Sequence, residues 1–380
     1  MSDELPLKGV TVVELGDSAA APFCGQILGD LGAEIIKIER PDGGDPSRHW
    51  GPAFWHGTAA TFQSINRNKR SAVVDLKDAA ARARLRRLIL ERADVFFHNL
   101  RPGTAEDYGL GGEQLLGENP RLVYCALGAF GHKGPLSKLP GYDPLMQAFA
   151  GIMSVTGEDD RPPVRVGVPV IDFGTGLWCA IGILAALNRR HATGAGAIVD
   201  ASLYETGIAW MSVVAAGFNA AGDKPPRLGT GAPFTVPYRA FETADGYLVV
   251  GCANDRLFVK LAEALGHPEW ARDARFADNM ARIANRETVD GMIGDILITK
   301  PRRHWQDILE AAGVPNAPLQ DIAEVLAHPQ TKALDMVQQT PEGDMDLVSL
   351  PLSFDRARPP IRRRPPALGA HTDEIFGDED

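Results

Sequence analysis

Cysteine is scarce in this sequence, and its few cysteines are widely spaced. The 380 residues contain four, none in a CxxC pair or in another spacing typical of metal ligands: Cys24, Cys125, Cys179 and Cys252. The nine histidines are equally scattered, so the sequence predicts no metal site. Such cysteine usage is typical of a reducing compartment, and we expect a cytoplasmic protein.

Long apolar runs and an excess of positive charge are also missing. The longest apolar run, residues 177–187, is too short to cross a bilayer, and residues 1–5 are acidic, so we expect no membrane segment and no secretory signal. The formal net charge of −10 argues against nucleic acid or an anionic membrane as the main partner. An anionic ligand remains compatible with this charge.

The first two hundred residues alternate between strand and helix patterns. We predict strands at 10–15, 34–38, 72–76, 95–97, 122–125 and 198–201, with helices at 22–31 and 78–92 between them. This alternation predicts an α/β fold, with a mostly parallel sheet covered by helices on both faces. Ligands of such sheets bind outside the carboxyl ends of the strands.

A smaller unit follows the alternating region. Residues 203–222 read as one apolar helix, and 223–237 are rich in proline and glycine, as in a linker. A hairpin with Asp245-Gly246 at its turn comes next, followed by helix patterns. Residues 348–380 lack a core of their own. We therefore predict a large domain at 1–222 and 330–380, with a smaller α+β domain inserted at 223–329.

One acid stands out at the end of the extended segment 165–174, RVGVPVIDFG. Asp172 precedes a glycine and an apolar helix pattern that runs from 174 to 190. The structural interpretation is a helix N-cap, because an aspartate side chain can accept a hydrogen bond from a free amide of the first turn. The alternative is an approachable nucleophile that a thioester carbonyl could reach.

Basic residues cluster in the first fifth of the chain. Two interpretations remain open for them, an anion site or a solvated charged face: Lys37, Arg40, Arg48, Arg67, Lys69, Arg70 and Lys77.

Several segments together resemble the family III CoA-transferases, the formyl-CoA and carnitine CoA-transferase type. The resemblance rests on the order and spacing of segments that span nearly the whole chain: 7–15 (LKGVTVVEL), 31–41 (LGAEIIKIERP), 66–71 (NRNKRS), 75–77 (DLK), 99–103 (NLRPG), 141–143 (GYD), the Asp172 segment, 199–205 (VDASLYE) and 368–374 (LGAHTDE).

The resemblance implies both an architecture and a reaction. Two chains would form an interlocked homodimer, each with a Rossmann-like CoA-binding domain and a small inserted domain. Asp172 would attack an acyl-CoA thioester, giving first a mixed anhydride and then an aspartyl-CoA thioester that passes CoA to a second carboxylic acid. Coenzyme A would be the only cofactor, with no metal and no NAD. An aspartate at its ordinary pKa of about 3.9 would need no general base.

The resemblance also assigns binding residues. The CoA contacts would be Ser18, Ala19, Ala20, Arg40, Val74, Lys77, Asn99, Leu100 and Arg101. Asp107 stands where relatives often carry a basic residue, so Arg101 or Lys133 would have to supply that charge. The oxyanion would be held by N–H groups of glycine turns, either 127–135 or the loop with Gly229 and Gly231, although plain turns explain both equally well.

Competing functions remain. An α-methylacyl-CoA racemase of the same superfamily pairs the aspartate with a histidine, and Tyr142 occupies that place here, a phenol poorly suited to the task. An NAD-linked oxidoreductase is disfavoured because no GxGxxG follows the first strand. A CoA-binding protein without activity is disfavoured by the intact Asp172 segment. Residues 229–241 resemble members that use succinyl-CoA, and the acceptor acid would need a cation: Arg48, Arg239 or Lys133.

Overall fold

The structure, a computed structural model, describes residues 5–377. Residues 1–4, on which the expectation of no secretory signal partly depends, lie outside the described residues. Contacts divide the described chain into two compact units. The first contains the chain up to Ile152, Arg165–Val213 and the chain from Pro329 onward, and the second contains Met153–Val164 and Val214–His328.

The strands and helices are numbered in chain order. The strands are β1 Thr11–Leu15, β2 Glu34–Glu39, β3 Phe54–Trp55, β4 Thr58–Ala59, β5 Lys69–Val73, β6 Val95–His98, β7 Val123–Gly128, β8 Ala197–Ser202, β9 Tyr238–Thr243, β10 Gly246–Gly251, β11 Asn316–Pro318, β12 Val337–Gln339 and β13 Asp346–Val348. The helices are α1 Ala20–Asp30, α2 Ala60–Ile65, α3 Ala79–Arg92, α4 Thr104–Asp107, α5 Gly112–Glu118, α6 Asp143–Phe149, α7 Val170–Thr193, α8 Leu203–Trp210, α9 Ser212–Ala221, α10 Asp255–Ala264, α11 Asn279–Ala284, α12 Arg286–Leu297, α13 Arg302–Ala312, α14 Ile322–Ala327, α15 Pro329–Ala333 and α16 Thr372–Phe376.

A six-stranded parallel sheet organises the first unit. Its strand order is β5-β2-β1-β6-β7-β8, and every neighbouring pair is parallel. This is the order of doubly wound dinucleotide-binding sheets, in which the winding reverses between β1 and β6 and leaves a crevice at their carboxyl ends. The predicted α/β fold with a large parallel sheet is confirmed.

Alternating side chains of each strand enter two separate cores, one on each face of the sheet. Val12 and Phe97 pack into the core that includes α1 and α7, whereas Val13 and Phe96 pack into the core that includes α3 and α5. Both faces are therefore dry, as parallel sheets require.

Strand β5 begins three residues before its predicted start at 72. Lys69 has a wholly buried ammonium that donates to Glu14 Oε1 at 3.1 Å, to the Pro22 carbonyl at 2.7 Å and to Asn66 Oδ1 at 2.9 Å. A lysine normally indicates a surface position. The partners that make its burial possible come mostly from distant residues, so the sequence pattern did not include Lys69 in the strand.

Helix α7 begins at Val170, four residues before its predicted start, and runs for 24 residues. Within residues 5–377 it is the one helix that is long and apolar enough to cross a membrane, by length and composition alone. The apolar run 177–187, from which we expected no membrane segment, is too short to do so. Half of its most apolar window is buried in the unit, and it packs closely on α1. A Cβ added at Gly176 would lie 2.5 Å from the Ala20 carbonyl oxygen.

The C-terminal segment returns to the first unit. The Asn68 amide donates to the Arg363 carbonyl at 3.0 Å, and the His371 amide donates to the Ser71 carbonyl at 2.9 Å. The tail therefore continues along the edge of the sheet at β5 instead of forming a core of its own.

The second unit has a three-stranded antiparallel sheet, ordered β11-β10-β9, with a core covered by α10, α12 and α13. The β9–β10 hairpin turns at the predicted place, because Thr243 pairs with Gly246. The helix predicted at 203–222 is in fact two, α8 and α9, which break at Met211.

The boundaries of this unit differ from the predicted 223–329. It includes residues 153–164, because Glu158 forms an antiparallel bridge with Leu228 and the Arg227 guanidinium donates to the carbonyls of Glu158, Asp159 and Arg161. Sequence reasoning placed 153–164 in the large domain, since these bonds join segments sixty or more residues apart.

The close crossing of α7 and α1 yields a stability prediction. Gly176→Ala should lower the free energy of unfolding by about 1–3 kcal/mol, because the new methyl group meets backbone that cannot move aside cheaply. Gly117→Ala is the matched control: this exposed glycine of α5 has open space around it, and alanine should be neutral or stabilising there by up to about 1 kcal/mol. Equal melting temperatures for the two variants would contradict the crossing.

Candidate active site

A cleft of about 860 Å³ opens in the first unit, beside the carboxyl ends of β1 and β6. Asp172 lines it together with all nine predicted CoA contacts: Ser18, Ala19, Ala20, Arg40, Val74, Lys77, Asn99, Leu100 and Arg101. These residues come from five separate stretches of the chain. The structure therefore brings the predicted nucleophile and the predicted CoA contacts into one crevice.

The start of α1 forms one wall of the cleft. Its N-cap, Ala19, offers no side-chain hydrogen bond, and the first turn contains no acid. The first amide groups of a helix have no intrahelical partner and carry partial positive charge, so this end is suited to an anionic group of a ligand.

Asn99 supports the loop between β1 and α1 instead of presenting a free amide. Its Nδ2 donates to the Asp17 carbonyl at 2.9 Å, and its Oδ1 accepts from the Asp17 amide at 3.1 Å. Both polar ends of the side chain are thus engaged with backbone beside the cleft.

The basic cluster divides in a way that neither sequence interpretation described. Arg40 and Lys77 line the cleft and are exposed, but the other five are buried: Lys37, Arg48, Arg67, Lys69 and Arg70. Arg48, a candidate for binding the acceptor acid, is paired with Glu39 instead. Its Nε and Nη2 donate to the two carboxylate oxygens of Glu39 at 2.8 Å each. A buried bidentate pair leaves Arg48 unable to bind a substrate carboxylate.

Two further cations stand at the cleft. Arg101, one of the two predicted substitutes for a basic residue at 107, lines it, and so does Lys138, which sequence reasoning missed. Asp107 and Lys133 do not line it. Lys138 lies in an irregular stretch between β7 and α6, where no periodic pattern identified its position.

The structure excludes the N-cap interpretation of Asp172. The N-cap of α7 is Pro169, and Asp172 is the third residue of the helix itself. The capping role belongs to Asp143, the buried first residue of α6, whose Oδ2 accepts from the Ile171 amide at 2.8 Å and from the Asp172 amide at 3.2 Å. Its Oδ1 accepts from Gln147 Nε2 at 2.6 Å.

This arrangement opposes the negative charge of Asp172. Burial, and secondarily the nearby carboxylate of Asp143, raise the pKa of Asp172 to about 7. A pKa near 7 leaves this acid only partly ionised at neutral pH, whereas an aspartate at its ordinary pKa would be fully ionised. A carboxylate that is half-buried and poorly solvated is a stronger nucleophile than one in water.

The two predicted oxyanion turns differ in position. Gly128, the last residue of β7, and Ala129, which follows it, line the cleft. Gly229 and Gly231 lie in the second unit, where their amides donate to the carbonyls of Gly157 and Leu228 at 2.8 Å each. In this conformation neither amide is free to hold an oxyanion.

A smaller cavity of about 340 Å³ shares a rim with the cleft at Leu100, Arg101 and Gly128. Within it, buried His98 accepts from the Leu100 amide at its Nδ1, 3.1 Å away, so Nε2 carries the proton toward the Tyr124 hydroxyl at 2.5 Å. Burial lowers the pKa of His98 to about 4, so this ring is neutral and positions Leu100. Across residues 5–377, no group of three or more His, Cys, Asp or Glu side chains could hold a metal ion.

Comparison with known proteins gives a consistent result. The model of CoA-transferase family III matches residues 7–372. The chain is 34% identical to the succinyl-CoA:glutarate CoA-transferase of Mus musculus, over 98% of this chain and 86% of the relative. It is 35% identical to the succinyl-CoA–D-citramalate CoA-transferase of Chloroflexus aurantiacus, over 98% of this chain and 94% of the relative.

A solved structure agrees with these relatives. The fold superposes on the crystal structure of a CAIB/BAIF family protein from Brucella suis with a TM-score of 0.89, at 38% identity and with both chains fully covered. The family match across residues 7–372 and the relatives named as CoA-transferases lead to one conclusion. The chain is an enzyme that belongs to CoA-transferase family III.

Proposed function

We propose that this enzyme moves CoA from succinyl-CoA to a dicarboxylic or hydroxy-dicarboxylic acid, with Asp172 as the covalent nucleophile. The observation that carries the proposal is the opening of Asp172 onto the same cleft as the nine predicted CoA contacts. The names of the mouse and Chloroflexus relatives support succinyl-CoA as the donor and a dicarboxylic acid as the acceptor.

The proposed reaction proceeds through two covalent intermediates. The Asp172 carboxylate attacks the thioester carbonyl, the C–S bond breaks, and a mixed anhydride and CoA thiolate form. The thiolate then attacks the aspartyl carbonyl, giving an aspartyl-CoA thioester and free succinate. The acceptor carboxylate attacks this thioester and expels CoA thiolate, which leaves a second anhydride. The thiolate then attacks the acceptor's acyl carbon in that anhydride and releases the Asp172 carboxylate.

The chain supplies position and electrostatics for these steps. Asp143 accepts from the Ile171 and Asp172 amides and so fixes the first turn of α7. The backbone of the proposed nucleophile is therefore held in place directly. Arg40, Lys77, Arg101 and Lys138 offer positive charge along the cleft for the phosphates of CoA. Tyr142 lines the cleft where a racemase would need a histidine.

Removal of the nucleophile should abolish transfer. We expect Asp172→Ala to retain less than about 1% of wild-type activity, since loss of a covalent nucleophile costs several orders of magnitude. The assay incubates succinyl-CoA with a panel of dicarboxylic acids and detects new thioesters by mass spectrometry. Asp200→Asn is the control, because burial also raises the pKa of Asp200, but that residue lines only the smaller cavity.

Two results would contradict the proposal. Substantial transfer by Asp172→Ala would remove the nucleophile from the mechanism. Incorporation of solvent deuterium at the α-carbon of an acyl-CoA, without formation of a new thioester, would favour the racemase instead.

The raised pKa of Asp172 predicts a pH dependence. Transfer requires the carboxylate, so kcat/KM should rise with pH and level off above a midpoint near pH 7. Asp143→Asn should shift this midpoint to lower pH, because it removes a negative charge while its amide oxygen still accepts from the helix amides. An unchanged midpoint in Asp143→Asn, or a midpoint near pH 4 in the wild type, would contradict the assignment.

We also propose a homodimer, interlocked as the resemblance implies. Large apolar side chains on one stretch of α7 are exposed in the single chain, namely Leu177, Trp178 and Ile181, and the Trp210 ring lies tilted against the Trp178 ring with their centroids 5.9 Å apart. Such a patch is typical of a protein interface. Light scattering after gel filtration should give about twice the chain mass of 40.9 kDa. A monomer at micromolar concentration would contradict the dimer.

A further inference from the structure

The loop between β1 and α1 is fixed by side chains from outside it. The Gly16 carbonyl accepts from Lys37 Nζ at 2.6 Å, and Asn99 binds both polar groups of the Asp17 backbone. The Ser18 amide donates to Asp45 Oδ1 at 3.0 Å. Three consecutive residues are thus held from three directions.

Ser18 is the residue in this loop that needs holding. Its φ is +71°, in the left-handed region that side-chain-bearing residues rarely adopt. A serine there would relax to a negative φ if nothing opposed it, and the peptide that leads into α1 would turn with it. The bond from the Ser18 amide to Asp45 acts directly on the strained residue.

Asp45 is itself rigidly oriented. Its Oδ1 also accepts from the Ser47 amide at 2.8 Å and the Ser47 hydroxyl at 2.7 Å, and its Oδ2 faces Lys37 Nζ at 2.9 Å. Glu39 Oε2 accepts from the Asp45 amide at 3.0 Å. Asp45 is only 2% exposed as a residue, lines the cleft, and belongs to a cluster of buried charges.

We propose that Asp45 is a positioning residue for CoA binding, which holds Ser18 in its left-handed conformation and thereby turns the start of α1 toward the ligand. The inference rests on the proposed function, since it takes CoA as the ligand of the cleft. Asp45 acts through the Ser18 amide, and Lys37 assists by holding the Gly16 carbonyl on the other side of the loop.

A purely structural role is the alternative, and Asp30 provides the matched control for it. Asp30 is the last residue of α1, is 3% exposed, and pairs with Arg67 Nη2 at 2.6 Å and Asn68 Nδ2 at 2.7 Å. It is an equally buried and hydrogen-bonded acid at the other end of α1, but it does not line the cleft.

The test measures binding of free CoA to the full-length protein by isothermal titration calorimetry, with the melting temperature of each variant. Asp45→Ala should weaken CoA binding about tenfold or more, the usual effect of losing a hydrogen bond to a charged group. Asp45→Asn should bind CoA within about threefold of the wild type, because its amide oxygen can still accept from Ser18. Asp30→Ala should lower the melting temperature and leave CoA affinity unchanged.

Several results would overturn the inference. Asp45→Ala that binds CoA as tightly as Asp30→Ala would leave Asp45 with a structural role alone. Asp45→Asn that binds as weakly as Asp45→Ala would assign the effect to the charge pair with Lys37 instead of the bond to Ser18. If the wild type binds no CoA, the proposed function fails as well, whereas failure confined to the Asp45 variants affects this inference alone.

Folding of Asp45→Ala decides which variant is used. If that variant gives no folded protein, Asp45→Ser replaces it, because serine lacks the carboxylate oxygen that accepts from the Ser18 amide and keeps a polar group at the buried position. The expected loss of CoA affinity and the contradicting result are the same.

Discussion

The proposed chemistry of this enzyme depends on a carboxylate whose surroundings oppose its negative charge. Asp172 lies in the first turn of α7, beside the buried carboxylate of Asp143, and burial raises its pKa to about 7. The positive end of the helix favours the ionised form, whereas desolvation and Asp143 oppose it. A group balanced in this way gains more from bonding to an acyl carbon than a solvated aspartate would. The packing of α7 against α1 and the sheet stabilises the fold and offsets the free-energy cost of burying the Asp172 carboxylate.

A second electrostatic constraint lies beneath the cleft. Three acids and three bases form a cluster that is almost wholly removed from water and has no net formal charge: Glu14, Glu39, Asp45, Lys37, Arg48 and Lys69. Unpaired, any one of these charges would be costly in the interior, so each depends on the others. Burial lowers the pKa of Lys69 to about 8, in spite of the attraction of Glu14. The cluster ties β1, β2 and β5 to the loops that surround the proposed CoA site.

The sequence predicted the parts of the structure that depend on apolar periodicity and turn chemistry. The alternation of strands and helices correctly predicted the parallel sheet, and Asp245-Gly246 correctly predicted the β9–β10 hairpin. Where polar residues are buried, the same reasoning failed: Lys69 concealed the start of β5, and Arg48 was taken as available to a substrate. Such errors have one physical cause, since the partners that make burial tolerable come from distant parts of the chain.

In the candidate site, too, some residues were predicted from the sequence and others were not. Resemblance to a family identified ten residues that line one cleft, and Asp172 among them. Asp143 and Asp45 were missed because each accepts from a backbone amide of another segment, and no local pattern signals such a bond. His98 accepts from the Leu100 amide two residues away, but its ring nitrogen also meets Tyr124 of the neighbouring strand, and the sequence does not show that contact. Lys138 was missed because its stretch of chain has no regular structure.

As the proposed nucleophile, the Asp172 side chain would carry the acyl group and CoA in turn. The most direct test mixes the enzyme with succinyl-CoA, quenches it with acid within milliseconds, and analyses its peptides by mass spectrometry. We expect a CoA adduct on the peptide that contains Asp172, and none in Asp172→Ala. Continued CoA transfer with that peptide unmodified, or with the adduct on another residue, would contradict it.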